Sequence, residues 1–133
     1  CESRSRGFGL EVKRRILLGT FVLTKERYEE CYGRASRIRA ATSAALREAL
    51  ERFDLLLLPA SPEIAWRRGE KRDPISLYRS DLFTVPASIA GLPAVSVPFG
   101  TEKGLPVGMQ FVGRAFGEDM LLRAARVLEE ENA

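Results

Sequence analysis

The groups able to do chemistry in this chain are few. There is no histidine, so no nucleophile activated by imidazole can be built from these residues. The two cysteines, Cys1 and Cys31, lack Cys-x-x-Cys spacing and indicate neither a disulfide framework nor a thiolate metal cluster. Cys31 falls within a helical pattern and reads as a small core residue. No GxxxxGK[ST] loop or GxGxxG fingerprint is present, which removes the usual glycine-rich phosphate cradles. Ser96, in AVSVP, alternates with Val95 and Val97, but no Lys or His stands near it in sequence. Two charged residues set among apolar neighbours remain. Arg15 shares a helical face with Val12, Gly19 and Val22, and Gly19 removes bulk one turn on. A guanidinium there suits bidentate capture of a carboxylate; the alternative is a packed stem with its head in water. Arg14 lies roughly 100° round the helix and does not share that face. Asp81 is hemmed in by Leu82, Phe83 and Val85, and reads either as a ligand carboxylate at a helix-loop junction or as a solvated group at a helix end.

Residues 69–100, GEKRDPISLYRSDLFTVPASIAGLPAVSVPFG, must position Asp81. Asp73 before Pro74 reads as an N-cap with proline at the first helical position. Ile75, Leu77, Tyr78 and Leu82 supply an apolar face for a short helix. Val85 precedes Pro86 and is expected to be extended. Pro86 opens a second short helix, Gly91 is its C-cap, and residues 94–98 form a strand.

The elements around this stretch follow from periodicity. Residues 1–9 lack it and read as a loop. Residues 10–23 carry helical spacing through Val12, Ile16, Gly19, Thr20 and Leu23. Thr24 is an expected N-cap for a helix running to about Arg52. On that helix Cys31, Ala35, Ile38, Ala41, Ala45, Ala49 and Phe53 form a small-residue face, widened by Leu46 and Leu50. Tyr28 and Tyr32, one turn apart, read as packing or pocket-lining residues. Residues 54–59, DLLLLP, look like a strand buried on both faces, and residues 60–72 like a polar surface loop holding Trp66. Residues 101–104 form a turn and residues 105–113 a strand that pairs with residues 94–98 as a hairpin. Residues 118–131 close the chain as a helix with a Leu121, Ala124, Ala125, Leu128 stripe, and Glu118 and Asp119 favourably placed in its first turn.

At 133 residues, 45% hydrophobic and 29% charged, the chain has the make-up of an ordinary folded domain or part of one. No run of about 18 apolar residues suggests a membrane span. The first residues lack an apolar signal core, and there is no initiator Met, so the chain is expected to begin inside a longer protein. A reducing cytoplasm fits the cysteine usage. Net charge is +3. The basic clusters at residues 13–15 and 67–72 suit either an RNA-contacting patch or, each being near acids, a solvated surface.

Three motifs carry a family resemblance: EVKRRILLGTFVL (residues 11–23), the long central stretch, and GLPVGMQFVG (residues 104–113). They resemble the C-terminal part of the amidase signature family. The GEK..DP..LY lead-in is most similar to the branch that serves tRNA-dependent amidotransferases. The resemblance implies an α/β fold, a mixed sheet flanked by helices, of which residues 1–133 are the C-terminal part of one domain. It implies hydrolysis of glutamine to supply ammonia for converting Glu-tRNA(Gln) to Gln-tRNA(Gln). Family members use a Ser nucleophile activated through a second Ser and a Lys. That Gly/Ser-rich signature is absent here, so no catalytic residue is assigned, and the isolated chain is expected to be inactive. By resemblance Arg15 holds the α-carboxylate of glutamine and Asp81 its α-ammonium. The implied partners are the missing N-terminal catalytic half, the amidotransferase B and C subunits and, indirectly, tRNA. No cofactor is expected in this chain, while a partner subunit uses ATP and Mg. Two alternatives stay open: part of a generic amidase acting on another amide, and a module in which Trp66 and the residue 67–72 cluster dock protein or RNA.

Overall fold

The computed structural model describes residues 2–70 and 73–131. Lys71 and Arg72 of the basic cluster, and Cys1, lie outside the described residues. The chain divides into two compact units, Cys1–Arg39 and Ala40–Ala133.

In the first unit, α1 (Glu2–Gly7) replaces the expected loop. A Glu2–Arg6 pair spans one turn of it, the local support that a periodicity search does not register. α2 (Leu10–Val22) follows. Thr24 does not act as an N-cap: its Oγ1 donates to the carbonyl of Phe21 and so closes α2 instead. The long helix expected from Thr24 onward begins at Tyr28 and runs without a gap to Arg52, its first turns π-helical (Tyr28–Gly33) and the rest α-helical (α3, Arg34–Arg52). At the end of the π-helical stretch Glu29 Oε2 would lie 2.9 Å from a Cβ at Gly33, so the widened turn closes on the residue that lacks one. The Tyr28 and Tyr32 rings pack together with centroids 5.0 Å apart.

The second unit holds the core. β1 (Leu55–Pro59), β2 (Ala94–Glu102) and β3 (Leu105–Gly113) form a sheet in the order β1-β3-β2, with both pairings antiparallel. Lys103 and Gly104, at φ 54° and 74°, form the tight turn of the β2–β3 hairpin, which demands positive φ at both central positions. The strands therefore run on to Glu102, past the boundary expected from Pro98, across a bulge between Pro98 and Gly100.

Alternation along the strands sorts side chains to two faces. Val112 and Gln110 of β3 face the same way as their partners Leu56 and Leu58 of β1. On that face Val112 joins Leu50 of α3, Ala87 and Ala90 of α5 (Thr84–Ala90) and Leu92, with Leu46, Leu56 and Leu58 packed around them. The other face of the sheet receives α6 (Glu118–Glu131) through buried Leu121 and Ala125. Leu121 fills the space where a Cβ at Gly113 would stand, 3.0 Å away. The result is helix, sheet, helix, the α/β layering expected.

Two expected faces differ. β1 is not buried on both sides, since Leu57 is 48% exposed; it is an edge strand of this sheet and only its Leu56/Leu58 face meets the core. The small-residue stripe of α3 is not its buried face either. Leu50 and Leu46, which were expected only to widen that stripe, carry the burial, Leu50 fully and Leu46 partly, while Ile38 and Phe53 are exposed. Larger side chains that reach the sheet set the contact, not the smallest ones. Two arginines lock the layer: Arg47 Nη2 donates to the Ala90 carbonyl (3.0 Å) and Arg114 Nε to the Leu50 carbonyl (2.8 Å). Each satisfies an otherwise orphaned carbonyl at a helix end.

Candidate functional site

Asp81 is delivered by the expected punctuation. Asp73 caps α4 (Pro74–Arg79), accepting from the amides of Ile75 (3.0 Å) and Ser76 (3.1 Å). The Ser76 hydroxyl and amide hold the Asp73 carboxyl below its ordinary range. Pro74 stands at the first helical position. The chain then turns through residues 80–83 and enters α5, which ends on Gly91 at φ 67°. Asp81 lies in that turn, exposed. Its amide donates to Tyr78, and its carbonyl accepts from Val85 at 3.0 Å. Among the described residues its carboxylate has no hydrogen-bond or ion-pair partner.

Two local expectations fail here. Val85 is helical, not extended, because Pro86 sits in the first turn of α5, where a missing N–H breaks no helical bond. The apolar face proposed for α4 is not buried: Ile75 is 69% exposed, and Leu77, Tyr78 and Leu82 are also exposed.

The turn is tied to the sheet by a residue whose role sequence reasoning missed. Gln110 is buried, and its Nε2 donates to the Phe83 carbonyl (2.7 Å) and the Pro59 carbonyl (3.3 Å). The available signal was a polar residue at an inward position of the central strand, between Gly108 and Val112.

Arg15 lies on α2, in the first unit. Its Nε donates to Glu11 Oε1 at 3.0 Å, and Arg14 Nη1 donates to Glu11 Oε2, also at 3.0 Å. One carboxylate thus draws together two guanidinium groups that the helix itself splays apart, since Glu11 is four residues from one and three from the other. Glu11, Val12, Arg15 and Ile16 border an open depression of about 390 Å³. Arg15 belongs to the first unit and Asp81 to the second.

Among the described residues no group of three or more His, Cys, Asp or Glu could hold a metal ion. No described helix is long and apolar enough to cross a membrane.

Residues 1–122 match the family described as Amidase. The chain is similar to the A subunit of the glutamyl-tRNA(Gln) amidotransferase of Thermotoga maritima, with 45% identity over 98% of this chain and 28% of that protein. It is similar to the protein of the same name from Rubrobacter xylanophilus, with 50% identity over 96% of this chain and 27% of the relative. The crystal structure of the Thermotoga maritima protein superposes with a TM-score of 0.76 at 44% identity, over 97% of this chain and 29% of that one. An amidase structure superposes at 0.71 with 31% identity, over 98% of this chain and 30% of that one. The chain therefore spans under a third of the length of these relatives, and it belongs to the amidase signature family.

Proposed function

We propose that this chain is the glutamine-binding part of the glutaminase subunit of a tRNA-dependent amidotransferase. The longer subunit hydrolyses glutamine and releases ammonia, and a partner subunit uses the ammonia with ATP and Mg to amidate Glu-tRNA(Gln) in the cytoplasm. The observation that carries the reading is the similarity, along almost the whole chain, to proteins named as the A subunit of glutamyl-tRNA(Gln) amidotransferase.

The chemistry of the two charged residues supports it. Glutamine carries opposite charges on one carbon, so a site that selects it needs a cation and an anion. Arg15 is the cation for the α-carboxylate and Asp81 the anion for the α-ammonium. Glu11 grips the Nε edge of Arg15 and so restricts the direction in which the rest of the guanidinium points. Asp81 sits exposed on a hydrogen-bonded turn, with no competing partner among the described residues. The acyl transfer itself falls to a Ser and Lys in the part of the subunit outside this chain, and the isolated chain has no amidase activity.

The test is glutamine hydrolysis by the full-length subunit in complex with its B and C partners. A charge-assisted contact is worth roughly 1.5–3 kcal/mol, so Arg15→Ala and Asp81→Ala each raise the KM for glutamine about 10- to 100-fold. Unchanged glutamine kinetics in both variants would remove this reading. A substrate screen that found another amide preferred over glutamine would place the chain in a generic amidase instead.

A further inference from the structure

We propose that Gln110 is a positioning residue for Asp81, and that it sets the preference for amides bearing an α-ammonium group over amides that lack one. The proposal rests on the ligand role of Asp81 given above. Gln110 is 2% exposed and is the buried polar side chain among the described residues. A primary amide on a core face costs about 1–3 kcal/mol if left unbonded, and an apolar side chain of similar volume would fill the same space at no such cost. What the amide provides is specific. Its NH₂ has two hydrogens, and two carbonyls receive them, Phe83 at 2.7 Å and Pro59 at 3.3 Å. Reversing the amide would set its oxygen against two carbonyl oxygens, so the network fixes its orientation.

Phe83 closes the turn that carries Asp81. The other bonds of that turn are local: Asp81 N to Tyr78 O, Leu82 N to Arg79 O, Val85 N to Asp81 O. They keep its shape but do not fix it to the sheet, and Leu82 is exposed. The bond from Gln110 reaches the turn from the central strand. Its loss shifts the Asp81 carboxylate relative to a bound ammonium while leaving the turn formed. A charge-assisted contact depends steeply on such placement, whereas the amide end of the substrate makes no use of Asp81.

The experiment compares glutamine with glutaramate, which is glutamine without its α-ammonium, in the full-length subunit with its partners. Gln110→Met keeps the volume and removes both donors. Losses from supporting residues run about tenfold or more, and that is the expected rise in glutamine KM, with kcat and all glutaramate parameters within about threefold. In the double variant Gln110→Met/Asp81→Ala the glutamine KM matches that of Asp81→Ala alone, because the two act through one contact. Equal losses on both substrates, or additive losses in the double variant, overturn the proposal. Gln110→Glu provides an independent arm if the Met variant does not fold. Its buried carboxyl donates one hydrogen bond only while protonated, so glutamine KM rises with pH while the glutaramate profile stays that of the parent. Superimposable profiles for the two substrates overturn it as well. If Asp81→Ala leaves glutamine KM unchanged, the underlying reading fails and this one with it. If Asp81→Ala raises KM and Gln110→Met does not, only the positioning role fails.

Discussion

The two units of the molecule use similar side chains to opposite effect. α2 carries Leu10, Val12, Ile16, Leu17, Leu18 and Phe21, yet none of its residues is buried. In the second unit Leu50, Val112 and Leu121 are each at most 2% exposed. Apolar content therefore does not make a core; convergence does. The sheet gives the second unit two faces on which helices from distant parts of the sequence meet. α2 is apolar on several sides at once, a pattern that belongs to a helix surrounded by neighbours.

The sharpest way to break that comparison is to truncate one leucine in each region. In the 133-residue chain Leu50→Ala costs about 2–5 kcal/mol by urea denaturation, whereas Leu17→Ala, at a 71% exposed position, costs under about 0.5. Equal losses would erase the distinction. In the full-length subunit the Leu17→Ala loss grows towards the core value if α2 is covered there, and stays small if it is not.

The first unit also holds the arginine that the proposed function needs, beside one that it does not. Both share Glu11. Arg15→Ala removes about 1.5–3 kcal/mol of glutamine binding in the assembled enzyme, and Arg14→Ala less than about 0.5. Reversed values would move the carboxylate contact to Arg14 and contradict the helical-face argument.

A smaller effect is expected in the second unit at Phe116. Its φ of 60° is costly for a bulky residue, and its side chain is 95% exposed, so no packing offsets the strain. Phe116→Gly stabilises the fold by about 1 kcal/mol, seen as a higher urea midpoint.

The smallest effect is the acid limb of α4. The Asp73 carboxyl is held below its ordinary value of 3.8 by Ser76. Because the folded value is the lower one, this contribution to stability is complete above the ordinary value and is lost as pH falls through the lowered one. The gap in urea midpoint between the parent and Asp73→Ala therefore narrows below pH 3.8. A gap that stays constant down to the acid unfolding limit would show that the cap acts without its charge.

Local chemistry was legible where one residue decides. Asp73-Pro74 and Gly91 give the ends of α4 and α5 by capping and by the need for positive φ. The Leu121–Leu128 stripe gives the buried face of α6. Periodicity misled where context decides. DLLLLP reads as a doubly covered strand and is an edge strand of this sheet, and the long helix expected from Thr24 starts only at Tyr28, with a π-helical first stretch. Arg15 and Asp81, the residues of the proposed site, stood out in the sequence as charged residues among apolar neighbours and through the family motifs. Gln110 was not, because nothing in GLPVGMQFVG says which carbonyls will stand opposite its amide.

By itself the sequence determined the helix ends, the hairpin, the absence of imidazole chemistry and the family, because each depends on residues within a few positions or on a contiguous motif. Only the tertiary structure decided that β3 is central, that Leu50 and not the alanine stripe carries the core of α3, and that one buried amide holds the Asp81 turn to the sheet. Those outcomes depend on contacts between residues far apart in the chain, where burial and hydrogen-bond satisfaction are properties of the assembled layers rather than of any single segment.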